Sequence, residues 1–191
     1  MSDEVASKRI EFVPLTPERW QDFESLLGES GGDEGCWCMW WRLPRREWTQ
    51  QRGDENRLAM KRIVESGEVP GIIAYVEGEP AGWCSVAPRD AYPTLNRSRR
   101  FRRIDSEPVW SIVCFYVSPS QRGTGLMASL VWAARDYAVS QGARIVEAYP
   151  REPERLSTTM AYMGVVPAFA KAGFVEVRRL SPRQAIVRWH S

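Results

Sequence analysis

The chain has 191 residues, of which 43% are hydrophobic and 26% are charged, and its formal net charge is +2. This balance is typical of a globular protein with one domain, 1–191, and a sizeable core. The small net charge excludes a global drive toward nucleic acid or anionic membranes, and no apolar run is long enough to span a bilayer. The first residues are acidic and lack a secretory apolar segment, so we expect a cytoplasmic protein with reduced cysteines.

The first part of the chain predicts one strand, two helices and two more strands. Alternation at 10–13 predicts the strand, and Thr16 before a proline predicts the start of the first helix. A second helix is expected over 54–66, followed by strands over 71–77 and 81–87 that are joined by a short turn.

The second part begins with the strongest strand pattern of the chain, 109–117, which leads through a glycine-bearing turn into a helix that ends at Gly142. A strand over 144–148, a short helix between Pro167 and Gly173, and two strands over 174–180 and 185–189 follow. This order predicts an α/β or α+β fold, a sheet with helices on both faces, and no repeat or linker predicts a second domain.

The turn from Ser118 to Gly125 is the most informative segment. A strand, a tight loop of free backbone N–H groups and a helix N-terminus together form a cradle for a diphosphate, because the N–H groups and the helix dipole both favour an anion. Gly123 and Gly125 let the chain turn tightly and let a ligand approach the backbone. The segment therefore predicts a nucleotide-like ligand.

The loop Arg122-Gly123-Thr124-Gly125, the downstream pair Gly173-Phe174 and the element order resemble the GNAT superfamily of acyl-CoA-dependent N-acyltransferases. The resemblance implies a central mixed, mostly antiparallel sheet of about six to seven strands, and acetyl-CoA as the acyl donor. By resemblance, Phe115 to Val117 would pair with the pantetheine arm, and the cofactor-binding residues would be Phe115, Tyr116, Val117, Gln121, Arg122, Gly123, Thr124, Gly125, Leu126 and Met127.

Two residues depart from the family pattern. Met127 stands where the family has Gly or Ala, and Phe169 stands where many members carry the tyrosine that protonates the departing thiolate. Tyr162 is therefore the candidate acid, against the alternative of a loop tyrosine that caps the core. Glu147 is the candidate base acting through a water, against the alternative of an ion pair with an arginine such as Arg144 or Arg151.

The segment 31–66 occupies the place of the family's variable substrate-side helices. Trp37, Trp40 and Trp41 are candidate substrate-binding residues, because aromatic walls suit an apolar acceptor or a cation held over the rings. The alternative is that these rings pack the segment against the sheet. Asp33 and Glu34 could attract a protonated amine or be solvated loop charges.

An arginine cluster lies over 97–103, formed by Arg97, Arg99, Arg100, Arg102 and Arg103. It is compatible with the cofactor's 3′-phosphate, an acidic substrate or nucleic acid, and also with a strand edge protected by charge. Cys36-x-Cys38 lacks zinc-site spacing, so no metal is expected, and Cys84 and Cys114 are interpreted as small buried hydrophobes in strands.

The sequence thus predicts an N-acetyltransferase that moves an acetyl group from acetyl-CoA to a primary amine of a small molecule or peptide. Direct transfer in a ternary complex is expected, because no activated nucleophile is evident. The alternative is a catalytically weak acyl-CoA-binding or protein-interaction module of the same fold. No nucleic acid or membrane partner is expected, and the carboxy-terminal strands could pair in a homodimer.

Overall fold

The computed structural model describes residues 8–154, 156–157 and 159–191, with the side chain of Thr159 left outside the described part. Within these residues one sheet contains seven strands: β1 (Ile10–Pro14), β2 (Gly71–Val76), β3 (Glu79–Pro88), β4 (Trp110–Val117), β5 (Ile145–Ala148), β6 (Val175–Ser181) and β7 (Gln184–His190). Their order is β1-β2-β3-β4-β5-β7-β6, and only β4 and β5 are parallel. The expected mixed, mostly antiparallel sheet is confirmed.

Six α-helices are described: α1 (Trp20–Leu27), α2 (Arg45–Gln50), α3 (Asp54–Glu65), α4 (Pro93–Arg97), α5 (Leu126–Ser140) and α6 (Val166–Lys171). The sequence predicted α1, α3, α5 and α6 but not α2 and α4. Those two have only six and five residues, which is too short for a helical period to stand out. In the described part of the chain, no helix is both long enough and apolar enough to cross a membrane.

Helices cover both faces of the sheet, as predicted. On one face, Leu130 of α5 and Phe169 of α6 pack against Ile72 and other strand residues. On the opposite face, Phe23 of α1 and Met60 of α3 pack in a second core with Trp83. Side chains alternate between the faces of a strand, so each inner strand supplies both cores.

The sheet opens between β4 and β5. The two strands pair only where Trp110–Ile112 lies beside Val146–Ala148. The rest of β4, residues 113–117, continues along β3 but has no partner on its β5 side. The two strands therefore diverge and leave a cleft beside the carboxyl half of β4.

A buried carboxylate lies at the closed end of this cleft. Glu147 of β5 has no exposed surface, and its two oxygens accept from Nη1 of Arg89 at 2.5 Å and from Nε of Arg188 at 2.8 Å. Arg89 follows β3 and Arg188 lies on β7, so the carboxylate joins three parts of the sheet. Glu147 therefore forms an ion pair with arginines, which was the alternative to its role as a base. The partners are Arg89 and Arg188 rather than Arg144 or Arg151.

Tyr149 and Asp105 complete the network. The Tyr149 hydroxyl donates to Glu147 at 2.7 Å and accepts from Arg89 at 2.7 Å. Burial, together with the nearby Glu147 charge, raises the pKa of Tyr149 well above its usual range. Asp105 accepts from Arg188 at 2.5 Å, and this hydrogen bond lowers the pKa of the Asp105 carboxyl. The network thus keeps the Tyr149 phenol neutral and the Asp105 carboxyl charged.

We expect Glu147→Gln to lower the free energy of unfolding by about 3–5 kcal/mol, because the buried Arg89 loses its carboxylate partner and Arg188 keeps only Asp105. Urea unfolding followed by tryptophan fluorescence measures this change. Glu65→Gln is the matched control, since Glu65 is 55% exposed and its Lys61 partner lies 3.9 Å away. A loss for Glu147→Gln as small as that of the control would contradict a structural role for the buried pair.

Candidate active site

The turn that follows β4 is fastened by its own side chains. Nε of Arg122 donates to the carbonyl of Val117 at 3.1 Å, and the Thr124 hydroxyl donates to the carbonyl of Gln121 at 2.8 Å. Gly123 has φ +78° and Gly125 has φ +91°, a left-handed conformation that side chains with a Cβ disfavour. The glycines are therefore required by the backbone path into α5.

The start of α5 offers a group of free donors. Within the described residues, the backbone N–H groups of Gly123, Gly125, Leu126 and Met127 donate to no protein acceptor. No atom lies within 4 Å of the place where a Cβ would stand on Gly123 or Gly125, so an anion can approach this backbone. Donors and helix dipole together fit a diphosphate.

A cavity of about 510 Å³ extends from this turn along the unpaired half of β4. Of the predicted cofactor residues, the cavity is lined by Phe115, Tyr116, Val117, Arg122 and Met127. Gln121, Gly123, Thr124 and Gly125 lie on the turn outside this lining, and the Leu126 side chain is buried in the core. Those residues can therefore reach a ligand chiefly through the backbone of the turn.

The far end of the cavity is aromatic. Trp40 and Trp41, the candidate substrate-binding residues, line it, and Trp48 of α2 joins them. Trp37 does not line it: its ring is buried and packs 6.2 Å from the Phe23 ring, centroid to centroid. The two interpretations of the aromatic segment therefore divide among its rings, with Trp37 in the core and the other three on the cavity.

Charged groups surround the mouth of the cavity. Asp33 and Glu34 are exposed and line it, and Glu34 pairs with Arg52 at 2.9 Å. The Cζ atom of Arg45 lies 4.0 Å from the centroid of the Trp40 ring, and that of Arg52 lies 4.4 Å from the Trp48 ring. The cations over these rings are thus the protein's own arginines.

Tyr162 lies on the cavity, in a 3-10 turn over Thr159–Met163. Burial raises the pKa of Tyr162 to about 12, so the phenol is protonated at neutral pH. Phe169 is instead fully buried, with its ring in edge contact with Phe115 and Phe174. The position where many family members have a tyrosine is therefore part of the core in this chain.

Glu147 does not lie on the cavity. Its carboxylate is enclosed by the arginines of the buried network, which leaves no exposed oxygen to accept a proton from a substrate. The sequence suggested a base because strand alternation gives the face of a residue but not its distant partners.

The arginine cluster is also away from the cavity: Arg100 donates to Gln184 and Arg103 pairs with Asp90. Residues 98–109 form turns and bends, so the interpretation as a strand edge is wrong.

Three thiols line the cavity, and sequence reasoning did not group them. They belong to Cys36, Cys38 and Cys114, and the Cys38 thiol donates to the Cys114 sulfur at 3.4 Å. Trp37 and Cys38 have φ of +48° and +58°, so two consecutive non-glycine residues carry backbone strain that turns the segment here. Cys114 is half-buried on the cavity rather than a core residue, because the pairing of β4 with β3 skips Val113 and this bulge changes the alternation.

The thiols of Cys36 and Cys114 are neutral at physiological pH. Burial and the neighbouring Cys38 raise the pKa of Cys36 to about 11. The hydrogen bond with Cys38, together with burial, holds the pKa of Cys114 well above its usual range. In the part of the chain that the structure describes, no group of three or more His, Cys, Asp or Glu side chains is arranged to hold a metal ion.

We expect the rate of Cys36 alkylation by iodoacetamide to rise about tenfold per pH unit from pH 7 to 9 without a plateau, because only the thiolate reacts. An ordinary thiol, with a pKa of about 8.5, begins to level off in this range. Peptide mass spectrometry with fragment assignment measures each site, and the fully buried Cys84 should stay unmodified in the folded protein. A plateau for Cys36 below pH 9 would contradict the raised pKa.

The chain matches the model of the acetyltransferase (GNAT) family over residues 36–165. No curated protein matches it in sequence. Among solved structures, PaiA N-acetyltransferase from Thermoplasma acidophilum in complex with coenzyme A has 11% identity and a TM-score of 0.53, covering 96% of this chain and 99% of that one.

Two further structures agree in fold. A GNAT-family acetyltransferase from Listeria monocytogenes has 11% identity and a TM-score of 0.56, covering 97% of this chain and 100% of that one. An N-acetyltransferase from Staphylococcus aureus has 11% identity and a TM-score of 0.56, covering 95% and 98%. The family match spans more than half of the sequence and the fold agrees with it, so the chain belongs to the acetyltransferase (GNAT) family.

Proposed function

We propose that the protein transfers an acetyl group from acetyl-CoA to a primary amine of a small molecule or peptide, directly and within a ternary complex. One observation carries the proposal: a single cavity is lined by Arg122 and Met127, which flank the glycines at the start of α5, and also by Tyr162 and the aromatic rings. An anion site, an open strand edge and a protonated phenol thus follow one another along one path. The coenzyme A in the Thermoplasma relative supports the choice of ligand.

The free N–H groups of Gly123, Gly125, Leu126 and Met127 hold the diphosphate. Along β4, the Ser118 N–H donates to Ala81 of β3 at 2.9 Å. Peptide groups alternate in direction along a strand, so the N–H groups of Phe115 and Val117 point away from β3, toward the cleft. These donors bind the pantetheine arm and polarise the acyl carbonyl, an electrostatic contribution that needs no side chain.

Bound acetyl-CoA supplies an activated acetyl group, whose bond to the amine nitrogen forms as its bond to sulfur breaks. Tyr162 donates its proton to the departing sulfur and regains one from water. The acceptor enters as the neutral amine, and the proton it releases passes to solvent at the mouth beside Asp33 and Glu34. Residues 31–66 supply the acceptor end through Trp40 and Trp41, whereas Glu147 has no part in proton transfer.

Direct transfer is favoured over an acyl-enzyme by the state of the thiols. The pKa values of Cys36 and Cys114 are raised, so both remain protonated and are weak nucleophiles at neutral pH. The acceptor amine is then the attacking group. The second candidate, an acyl-CoA-binding module without turnover, is favoured by Met127 on the cavity wall and by the buried Phe169.

Calorimetric titration tests the ligand. We expect acetyl-CoA to bind with a micromolar Kd, and ADP, which has the diphosphate without the pantetheine arm, to bind more weakly and in competition. Gly125→Ala should weaken acetyl-CoA binding about tenfold, because left-handed backbone costs a residue with a Cβ about 1–2 kcal/mol and the turn shifts. Gly142→Ala is the matched control, since Gly142 has the same φ of +91° at the other end of α5. Equal affinity for the two variants would contradict the assignment of the turn.

Tyr162→Phe tests the acid. We expect kcat to fall by about two to four powers of ten, with little change in acetyl-CoA affinity, because the phenyl ring fills the same space but has no proton to donate. Steady-state kinetics with a panel of amines and calorimetry measure the two quantities. Tyr137→Phe is the control, since Tyr137 packs on Trp110 away from the cavity. Unchanged turnover in Tyr162→Phe would overturn the role of Tyr162.

A further inference from the structure

The mouth of the cavity contains a fixed arginine whose hydrogen-bonding edge is free. Arg45 of α2 lies over Trp40 at 4.0 Å and beside Trp48 at 5.7 Å, and these two rings meet edge to face with centroids 4.7 Å apart. A guanidinium stacked on an aromatic face keeps its N–H donors in the plane, directed outward. The stacking therefore fixes the position of Arg45 without using its donors.

No neighbouring carboxylate in the described part of the chain forms an ion pair with Arg45. Asp33 also lines the cavity, but among the described residues it forms no ion pair with Arg45. Arg52, stacked on Trp48, pairs with Glu34 at 2.9 Å, so those two charges cancel. The guanidinium of Arg45 makes no hydrogen bond or ion pair with any residue that the structure describes. It lines the cavity and contributes a positive charge and a planar set of donors there, which matches the geometry of an oxyanion.

The inner wall of the cavity is uncharged, so it favours a different part of the same ligand than the mouth does. Trp41, Cys36 and Cys114 line the cavity, and both thiols have raised pKa values and are uncharged at neutral pH. An apolar or aromatic body is therefore favoured inside, and charge is favoured only at the mouth. A simple cation such as a polyamine does not match this arrangement, because the faces of Trp40 and Trp48 already hold arginines.

We propose that the acceptor is an amine with an aromatic or apolar body and a carboxylate, and that Arg45 binds this carboxylate at the mouth of the cavity. The inference rests on the proposed function and names the class of its second substrate. Arg45 is then a specificity-determining residue: it fixes the charged end of the acceptor while the aromatic wall holds the body. The amine is on the carbon next to the carboxylate and faces the unpaired half of β4 and Tyr162, while the apolar body packs on the aromatic wall.

A matched set of amines tests the carboxylate. Phenylalanine and 2-phenylethylamine differ only in this group, and 1-amino-2-phenylethylphosphonate replaces it by another oxyanion. We expect the wild-type kcat/KM to be higher for phenylalanine than for 2-phenylethylamine. Arg45→Gln should lower the value for phenylalanine about 10- to 100-fold, the usual range for losing a charged hydrogen-bonding partner. The value for 2-phenylethylamine should change less than about threefold, because that amine has no oxyanion.

Arg46→Gln is the matched control, since Arg46 is the exposed neighbour on α2 and lies outside the cavity lining. Arg45→Lys keeps the charge but not the planar donors, and should lie between wild type and Arg45→Gln. Equal losses for the two amines in Arg45→Gln, or a wild-type preference for 2-phenylethylamine, would overturn the inference. A higher Arg45-dependent rate with the phosphonate than with phenylalanine would overturn the carboxylate in favour of a phosphoryl group.

Binding separates this inference from the proposed function. Calorimetry with N-acetylphenylalanine and N-acetyl-2-phenylethylamine, in the presence of coenzyme A, should give an Arg45-dependent preference for the acid. That preference without turnover of any amine would overturn the acetyltransferase proposal and support the anion site. Turnover of amines with no such preference would support the transferase and overturn the anion site. Neither binding nor turnover would overturn both.

Discussion

The arrangement of the sheet depends on one buried carboxylate. Glu147 binds Arg89 and Arg188, which come from opposite sides of β5, and the three residues hold β5 against β7 and against the segment that follows β3. β5 pairs with β4 over only three residues and then diverges from it, while its whole length stays paired with β7. The remainder of β4 keeps an open edge, and the cavity lies beside it. A group that takes no direct part in the proposed chemistry thus anchors the strand next to the cleft, and its two ion pairs compensate the cost of burying the charge.

Local signals allowed much of the fold and the cofactor end of the site to be predicted. The β-branched run at 113–117, the turn with Gly123 and Gly125 and the apolar spacing of α5 lie within a few residues of one another, so their geometry follows from neighbouring positions. The buried network could not be predicted in this way. Its members come from positions 89, 105, 147 and 188, and nothing near Glu147 in the chain indicates which arginines meet it. The position of Glu147 on a predicted strand does not reveal which distant residues pack against it, because that depends on the rest of the fold.

The same limit on prediction from sequence applies to the aromatic end of the cavity, where the residues concerned are close together in the chain. Composition indicated an aromatic segment, but it did not indicate which rings would line a cavity. Left-handed backbone at Trp37 and Cys38 turns the segment, so the Trp37 ring enters the core while Trp40 and Trp41 remain on the cavity. Two consecutive non-glycine residues in this conformation are too rare to expect from sequence. The short helix α2 then places Arg45 over Trp40, one of the rings that the sequence analysis considered as a binding surface for a cation. Under the proposed role of Arg45, this wall favours an anionic group of the ligand rather than a cationic one.

The charge states along the cavity are consistent with one another and with direct transfer. At the inner end, Tyr162 and the thiols of Cys36 and Cys114 have raised pKa values, so all three are neutral proton donors rather than bases. Such a lining disfavours both an enzyme-bound nucleophile and a charged amine close to the reacting carbon, and it favours a neutral amine beside a phenol that can protonate sulfur. Formal charges line the same cavity as these neutral groups: Arg122 beside the start of α5, and Arg45 and Asp33 from the segment 31–66. A donor that is anionic at its distal end and an acceptor that is charged at its outer end would both be oriented with their neutral, reactive parts meeting in the middle. The distribution of charge would then orient both substrates for the bond that Tyr162 helps to form.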